Sequence, residues 1–236
     1  VYRISDNLSI RYSVNVADRI WTPSQYSADE VARVFPSAAH KVRVLSNLVP
    51  SSTLEPMLPE QPLPARFWLL VGTREPRKNI AWFIEHWHKA RQTDPAIPDL
   101  VLVGGGEFVA PRQRELPGVH LMPALGDAEL QGLYGAAERL WHPSYAEGFG
   151  LPVIEAMAVG TPVAVASGTS LDEIVPEGTP RFSPYGAAAV IELMHRLARP
   201  DEPDRQVLRD WAKRYAEQPY RCLLYTSPSP RDRQKS

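Results

Sequence analysis

From residue 65 onward, the hydrophobic positions fall into two alternating kinds of pattern. Short runs that are almost entirely apolar predict buried strands in RFWLLVG, DLVLVGGGE, GVHLMPAL, RLWHPS and TPVAVAS. Apolar residues at helical spacing predict helices in NIAWFIEHWHKARQ, DAELQGLYGAAE, PVIEAMAVG, GAAAVIELMHRLAR and RQVLRDWAKRYAE. Repeated strand–helix units of this size predict an α/β fold, a Rossmann-like parallel sheet with helices on both faces.

Local signals place some of the element ends. Pro152 is expected in the first turn of its helix and Gly160 just past the end of that helix. Nearer the N-terminus, ADRIWTPSQYSADEVARVF predicts a short strand followed by a helix, and KVRVLSN predicts another strand. Ser27, with Glu30 three residues on, predicts a capping box at the start of that helix.

A stretch without periodicity, LVPSSTLEPMLPEQPLPAR, predicts a boundary between two regions of the chain. Its prolines at 50, 56, 59, 62 and 64 are typical of a stiff, extended linker. We therefore expect a first region at 1–50, a linker at 51–64 and a domain at 65–221. The last residues, 222–236, change composition abruptly and resemble translated sequencing-adapter sequence, so we expect a non-native tail there and a chain truncated at both ends.

Composition and charge exclude several classes of protein. The 236 residues carry a formal net charge of −1, which does not favour nucleic acid as a partner. No apolar run approaches the length of a membrane span, and no apolar segment follows Val1–Arg3 as it would in a signal peptide. Cys222 is the single cysteine, so there is no disulfide framework. These features predict a cytoplasmic protein.

Two loops at the expected carboxyl edge of the sheet carry candidate chemistry. GTREPRKN follows the first strand of the domain and supplies Arg74, Arg77 and Lys78, while SYAEGFGLP follows the fourth strand and leads into a helix. Glycines 148 and 150 allow close approach of the backbone to a ligand, and a helix N-terminus offers free N–H groups. Two cations opposite a helix N-terminus predict a diphosphate site.

Two carboxylates flank this predicted site. Glu147 precedes the glycine turn, and Glu155 lies about one helical turn past Pro152. Carboxylates repel phosphates but accept hydrogen bonds from hydroxyl groups, which favours a nucleotide-sugar with its hexose at Glu147 and its ribose at Glu155. For Glu155 a purely structural explanation stays open, because a glutamate in the first turn gains about 0.3–1 kcal/mol from the helix dipole.

The segment HPSYAEGFGLPVIEAMAVGTPVAVASGTSLDEI resembles the characteristic motif of glycosyltransferase family 4, a family of retaining enzymes with the GT-B fold. VGTREPRKNI resembles the phosphate-binding loop of that family, and LVLVGGGE and DAELQGLYGAAE fit the pattern between them. The resemblance extends from about Ala17 to Ala216. It implies that the domain is the C-terminal, donor-binding half of a GT-B fold.

The resemblance also implies roles for individual residues. Arg77 and Lys78 would hold the donor diphosphate and stabilise the leaving nucleotide, Glu147 would contact the transferred sugar, and Glu155 would bind the ribose. The nucleobase would lie against the loop after VHLMP. Backbone N–H groups would bind sugar hydroxyls and phosphate at Gly148, Phe149, Gly150 and Leu151.

The implied activity is transfer of a hexose, mannose- or glucose-like, from a UDP-, GDP- or ADP-sugar to an acceptor hydroxyl in surface polysaccharide or glycolipid synthesis. No cofactor is implied, and no metal, since the chain has no Asp-x-Asp triplet. A glycan or lipid-linked acceptor would bind the N-terminal domain, of which only 1–50 would remain, so the fragment itself is expected to be inactive. Two alternatives stay open: a nucleotide-sugar binding module without transfer, and a GT-B nucleotide-sugar epimerase.

Other polar residues have simpler explanations. His142 adjoins the site loop but is expected to be packed or solvated, and Arg112 and Arg114 are expected in a solvated turn. The glycines at 104–106 lack the G-x-G-x-x-G spacing of a dinucleotide fingerprint. Glu173 lies where the family often has a glutamate near the donor. One departure from the family is 47–50, where Asn-Leu-Val-Pro replaces the frequent Asn-Gly-Val-Asp.

Overall fold

The computed structural model describes residues 2–49, 55–72, 75–104, 106, 109–199 and 204–216, with the backbone alone for 2–8. Arg74 and the predicted tail at 222–236 lie outside these ranges. The helices are α1 (Tyr2–Val16), α2 (Gln25–Val34), α3 (Ile80–Thr93), α4 (Pro111–Arg114), α5 (Asp127–Ala136), α6 (Leu151–Ala158), α7 (Leu171–Ile174), α8 (Ala187–Leu197) and α9 (Arg205–Ala212). The strands are β1 (Ile20–Thr22), β2 (Val42–Val44), β3 (Phe67–Val71), β4 (Asp99–Val103), β5 (Val119–Met122), β6 (Arg139–His142), β7 (Val163–Ala166) and β8 (Arg181–Phe182).

Six of these strands form one parallel sheet in the order β5-β4-β3-β6-β7-β8. The five strands that the apolar runs predict are all present in it, and the predicted α/β class is confirmed. β8 was not predicted because two residues are too few to give a pattern. β3 is central: its residue Leu69 pairs with Val101 of β4 on one side and with Leu140 of β6 on the other.

The central strands are apolar at nearly every position because helices cover both faces of the sheet. One group of helices packs α3 against α8, and another packs α6 against α5 and α9. Between the sheet and α3 lies an aromatic cluster in which Trp141 contacts Trp68, Phe83 and Phe182, with ring centroids 5.0, 5.2 and 5.6 Å apart. This dense core fixes the positions of the strand ends that carry the site.

The predicted ends of α6 are confirmed. Pro152 lies in its first turn, and Gly160 follows the last helical turn with φ of 85°. A left-handed residue just past a helix is the usual position of glycine, because a β-carbon would strain the backbone there. Both signals were therefore local enough to be recognised without tertiary information.

The N-terminal segment departs from the prediction at its helix cap. β1 and β2 pair in parallel with α2 between them, but α2 begins at Gln25 and its N-cap is Ser24, so the predicted capping box of Ser27 and Glu30 is wrong. The Ser24 hydroxyl accepts from the Ser27 N–H at 3.0 Å. Glu30 instead forms an ion pair with Arg33. Of the two serines three residues apart, the one nearer to the end of β1 is the cap.

Helix α1 was not predicted at all, because its sequence lacks a helical period. From Leu8 to Val16 its apolar residues alternate with polar ones, a pattern typical of a strand. In the part of α1 whose side chains are described, 9–16, the residues Ile10, Tyr12 and Val16 are exposed, so no buried stripe forms there. No helix in the described part of the chain is both long and apolar enough to cross a membrane.

Candidate active site

The candidate residues of the two loops meet at the carboxyl edge of the sheet, where β3 and β6 are neighbours. The strand order reverses at β3, and such a switch point is where open α/β sheets bind ligands. Arg77 and Lys78 lie in a short 3-10 turn, Pro76–Lys78, between β3 and α3. Glu147 lies in the loop between β6 and α6. The topology therefore brings together residues that are about 70 positions apart in the chain.

One oxygen atom of Glu147 is the centre of this cluster. Its Oε2 accepts hydrogen bonds from Arg77 Nη1 at 2.8 Å, Lys78 Nζ at 2.9 Å and His142 Nε2 at 3.1 Å. The side chains of Lys78 and Glu147 are only 8% and 9% exposed, so this is a largely buried ion pair. Buried charges of this kind depend strongly on each other, because either one alone is costly to keep out of water.

The neighbours of Glu147 determine its charge. Burial by itself would raise the pKa of the Glu147 carboxyl, but the hydrogen bond from His142 and the charge of Lys78 hold that pKa well below its ordinary value. Glu147 is therefore ionised throughout the physiological range. His142 was expected to be merely packed or solvated; its contact with Glu147 shows that it belongs to the cluster. The signal was its place as the last residue of β6, at the same sheet edge.

All three side-chain nitrogens of Arg77 donate hydrogen bonds within the protein. Its Nε and Nη2 donate to the two oxygens of Glu75 at 2.6 and 3.1 Å, and Nη1 also donates to the Ala146 carbonyl at 3.1 Å. The Glu75 side chain is half exposed. A phosphate group at Arg77 would therefore have to replace Glu75. Glu75 was not singled out in the sequence, where it is one of many charged loop residues.

The loop before α6 uses its carbonyl oxygens but not its N–H groups. Serine hydroxyls donate to three consecutive carbonyls: Ser170 to Glu147 at 2.8 Å and Phe149 at 3.2 Å, and Ser24 and Ser27 to Gly148 at 2.9 and 3.1 Å. Within the described ranges, the backbone N–H groups at 148–151 donate to no acceptor; they belong to Gly148, Phe149, Gly150 and Leu151. Backbone donors require a partner, so the start of α6 offers a row of amides to a ligand or to water.

The two glycines of this loop are expected to differ sharply in tolerance to alanine. Gly150 has φ of 105°, and an added β-carbon would lie 2.5 Å from Leu171 Cδ2 and 2.9 Å from Ile174 Cδ1, both in buried residues. Gly150→Ala should lower the free energy of unfolding by about 3 kcal/mol through strain and overpacking. In Gly148→Ala the added β-carbon would meet only Ser27 Oγ, at 3.8 Å. The free energy of unfolding should therefore change by less than about 0.5 kcal/mol. Urea denaturation of both variants measures the difference; equal losses would contradict it.

Glu155 occupies a separate environment on α6. Its Oε2 accepts a hydrogen bond from the Tyr134 hydroxyl at 2.9 Å. No described residue forms hydrogen bonds with the side chains of both Glu155 and Glu147. Burial raises the pKa of Glu155, and the charge of Asp127 adds to this, while the Tyr134 hydrogen bond lowers it. Burial next to Glu155 also raises the pKa of Tyr134. The predicted ribose contact of Glu155 stays a prediction.

Glu173, the glutamate in the loop where the family often has one, contacts α2. Its Oε2 accepts from the Gln25 N–H at 2.9 Å, and its Oε1 accepts from the Tyr26 N–H. A carboxylate at the first N–H groups of a helix is a favourable cap. In this structure Glu173 therefore links the N-terminal segment to the loop after β7.

Arg112 and Arg114 are both exposed, as expected of a solvated turn, although they lie in the short helix α4. Arg114 donates from Nε to the Val109 carbonyl at 2.8 Å and from Nη2 to the Gly106 carbonyl at 2.9 Å. It thereby holds the glycine-containing loop after β4. His86 is buried in α3, with its Nδ1 2.7 Å from the Trp82 carbonyl oxygen.

Positive charge at the site comes from side chains. In the part of the chain that the structure describes, no three histidine, cysteine, aspartate or glutamate side chains come together in a way that could hold a metal ion. Among the described residues, Arg77 and Lys78 are the cationic side chains that contact Glu147, the residue just before the amides of 148–151.

Solved structures place this architecture in a known class. The chain superimposes on sucrose-phosphate synthase from Thermosynechococcus elongatus with a TM-score of 0.63 and 25% identity, over 89% of this chain and 59% of that one. It also superimposes on Anabaena Alr3699/HepE, solved in complex with UDP-glucose, with a TM-score of 0.69 and 16% identity, over 93% of this chain and 67% of that one. The fold is that of the GT-B glycosyltransferases.

Sequence comparison identifies the family. The family model described as glycosyl transferases group 1 matches residues 65–199, and the chain belongs to this family. O-antigen chain mannosyltransferase B of Escherichia coli is 32% identical over 183 residues, which are 71% of this chain and 48% of that protein. The chain therefore spans about half the length of this curated relative.

Proposed function

We propose that the chain is the donor-binding half of a retaining glycosyltransferase that moves a hexose from a nucleotide-diphosphate sugar to an acceptor hydroxyl. The observation that carries the proposal is the cluster at the start of α6. There, two cations and an ionised carboxylate adjoin a row of backbone amides without described partners. Cations and amides suit a diphosphate, and the carboxylate suits sugar hydroxyls.

In this proposal each part of the cluster has one role. Arg77 and Lys78 bind the diphosphate oxygens, and the amides of 148–151 bind phosphate and sugar hydroxyls. Glu147 accepts a hydrogen bond from the sugar through Oε1, the oxygen that the three protein donors leave unused. Glu155 binds the ribose through the oxygen that Tyr134 does not occupy.

The chemistry follows from the charges that develop as the sugar–phosphate bond breaks. Negative charge grows on the leaving diphosphate, and the cations and amides that bind it stabilise that charge without a metal. Positive character grows at the anomeric carbon, which the ionised Glu147 stabilises. We assign no nucleophile. The acceptor attacks from the face that the diphosphate leaves, and the diphosphate takes the acceptor proton, so the anomeric configuration is retained.

The finer assignments rest on the relatives. The mannosyltransferase of Escherichia coli and the complex of HepE with UDP-glucose support a mannose- or glucose-like hexose and a role in surface polysaccharide or glycolipid synthesis. A glycan or lipid-linked acceptor binds a second domain, and residues 1–50 are the last part of that domain. Residues 51–64 link it to the donor domain at 65–221. The chain alone binds the donor but transfers little or nothing, and the full enzyme works in the cytoplasm, peripheral at the inner face of the membrane.

Calorimetric titration with UDP, GDP and ADP, followed by product analysis with the matching labelled nucleotide-sugar, tests the proposal. We expect one nucleotide to bind with one-to-one stoichiometry and the bound sugar to keep its configuration. Epimerised sugar formed without an acceptor would identify an epimerase instead. A full-length homologous enzyme that binds the donor but never transfers would identify a binding module, and a folded chain that binds no nucleotide would contradict the proposal.

Removal of the carboxylate that competes for Arg77 is expected to strengthen nucleotide binding. In Glu75→Gln the Arg77 guanidinium loses its half-exposed ion-pair partner, so the Kd for the nucleoside diphosphate should fall about threefold. Glu85→Gln is the matched control, because Glu85 makes a comparably exposed ion pair with Lys89 on α3. Calorimetry measures both constants. An unchanged or higher Kd in Glu75→Gln would show that Glu75 does not compete with the ligand.

A further inference from the structure

A buried histidine side chain lies beside Glu147 in the cluster. His142 is only 1% exposed, and its Nε2 is 3.1 Å from Glu147 Oε2 and 3.5 Å from Lys78 Nζ. It ends β6, next to Trp141, whose ring packs in the aromatic cluster under α3. Because neighbouring residues of a strand point to opposite faces, the packing of Trp141 fixes the face on which His142 lies.

The contacts of His142 determine which ring nitrogen carries hydrogen. Glu147 Oε2 can only accept and Lys78 Nζ can only donate, so the short contact to Glu147 requires a hydrogen on Nε2. Burial lowers the pKa of His142, and the nearby charges of Lys78 and Arg77 lower it further, against the opposing effect of Glu147. The ring is therefore a neutral Nε2–H donor near neutral pH.

Binding of the donor substrate should affect His142 differently from Arg77 and Lys78, the other two side chains that donate to Glu147. Under the proposed function, Arg77 and Lys78 turn towards the diphosphate when the donor binds, which weakens their hold on Glu147. His142 is buried and uncharged, so it has no reason to follow the phosphate. Its hydrogen bond is the one that can persist, together with the bond from Ser170 Oγ to the Glu147 carbonyl.

We infer that His142 is a positioning residue that keeps Glu147 Oε2 fixed while the donor is bound, so that Oε1 stays available to the transferred sugar. This inference rests on the proposed function, in which Glu147 contacts that sugar. It goes beyond that function because it gives His142, a neutral and buried hydrogen-bond donor, the role of orienting the Glu147 carboxylate. A neutral ring orients Glu147 without adding a third positive charge beside Arg77 and Lys78.

Two substitutions of His142 separate orientation from packing. His142→Met fills a similar volume without a donor, and His142→Gln places an amide N–H at a similar reach. In His142→Met the Kd for the nucleotide-sugar should rise about tenfold relative to the Kd for the free nucleoside diphosphate, from the loss of one hydrogen bond to a carboxylate. His142→Gln should restore most of the wild-type ratio. A folded His142→Met variant with the wild-type ratio would overturn the inference.

Nitrogen NMR of the wild-type imidazole rings tests the same inference without a ligand. We expect His142 to stay a neutral Nε2–H tautomer from neutral to mildly acidic pH, with the exposed His40 as internal reference. A Nδ1–H tautomer, or an imidazolium at neutral pH, would overturn the inference even in a protein that binds nucleotide. A wild type that binds no nucleotide would contradict the proposed function, and the NMR result would still decide whether His142 holds Glu147.

Stability against pH gives a third readout with a definite sign. The folded pKa of His142 is below its unfolded value, so the unfolded chain binds more protons in the window between them. The free energy of unfolding should therefore fall as the pH drops below about 6.5, the ordinary pKa of histidine. His142→Met should lack this component of the fall, although it keeps Arg77, Lys78 and Glu147. Parallel wild-type and variant profiles through that window would overturn the neutral state assigned to His142.

Discussion

Glu147→Ala is expected to lower the free energy of unfolding by about 3–5 kcal/mol, because it leaves Lys78 buried without a counter-charge. Of the two side chains that the Lys78 ammonium group contacts in the described part of the chain, only the His142 ring, 3.5 Å away and uncharged, would then remain. Urea denaturation near neutral pH, with circular dichroism as the probe, measures the loss. A cost of this size would show that the two charges of the pair hold each other in the interior.

Two controls define the origin of this loss. Glu85→Ala removes the same kind of side chain from the exposed ion pair with Lys89 and should leave stability unchanged within error. The double variant Glu147→Ala/Lys78→Met should recover much of the loss, since no ammonium group stays buried without its partner. A double variant that is no more stable than Glu147→Ala would contradict the account of the buried charge.

Arg77→Ala/Lys78→Met is expected to raise the Kd for the nucleoside diphosphate by at least about a hundredfold, because two charged donors to phosphate are lost. Methionine keeps most of the volume of the buried Lys78 stem. Calorimetry measures the Kd of the variant, under conditions where a denaturation curve shows that the variant is folded. Arg77→Ala alone, which leaves the Lys78–Glu147 pair intact, should give a rise of about tenfold.

The matched control for this pair is Lys89→Ala/Arg112→Ala. This control also removes one lysine and one arginine, but from exposed positions in α3 and α4. A general electrostatic attraction of the nucleotide would weaken equally in both double variants, whereas a specific diphosphate site would weaken only in the first. Equal weakening would therefore contradict the roles of Arg77 and Lys78.

Sequence patterns predicted most strands of the sheet because the central strands are covered on both faces, and most of its helices because each buries one apolar face. Runs such as FWLLV in β3 have no polar position, and α6 carries Pro152 and Gly160 as local start and stop signals. The same logic placed Arg77, Lys78 and Glu147 at one sheet edge, since strand ends of a parallel sheet converge. The roles of these residues stay predictions that the measurements above decide.

Other features depend on contacts that no local pattern carries. Helix α1 has an alternating sequence, and β8 is too short to show a period. His142 and Glu75 look like ordinary strand and loop residues until β3 and β6 are placed side by side. The cap at Ser24 was misplaced because two serines with the same chemistry stand three residues apart.

The central claim is that the amides at the start of α6, with Arg77 and Lys78, bind a diphosphate. Amide NMR spectra of the isotope-labelled chain, titrated with the nucleoside diphosphate that calorimetry selects, test it most directly. We predict the largest shifts at Gly148, Phe149, Gly150 and Leu151, with smaller shifts at residues 77 and 78. Shifts confined to other parts of the fold, such as the cavity of about 290 Å³ that Arg139, Pro162 and Leu208 line at the opposite edge of the sheet, would contradict the account.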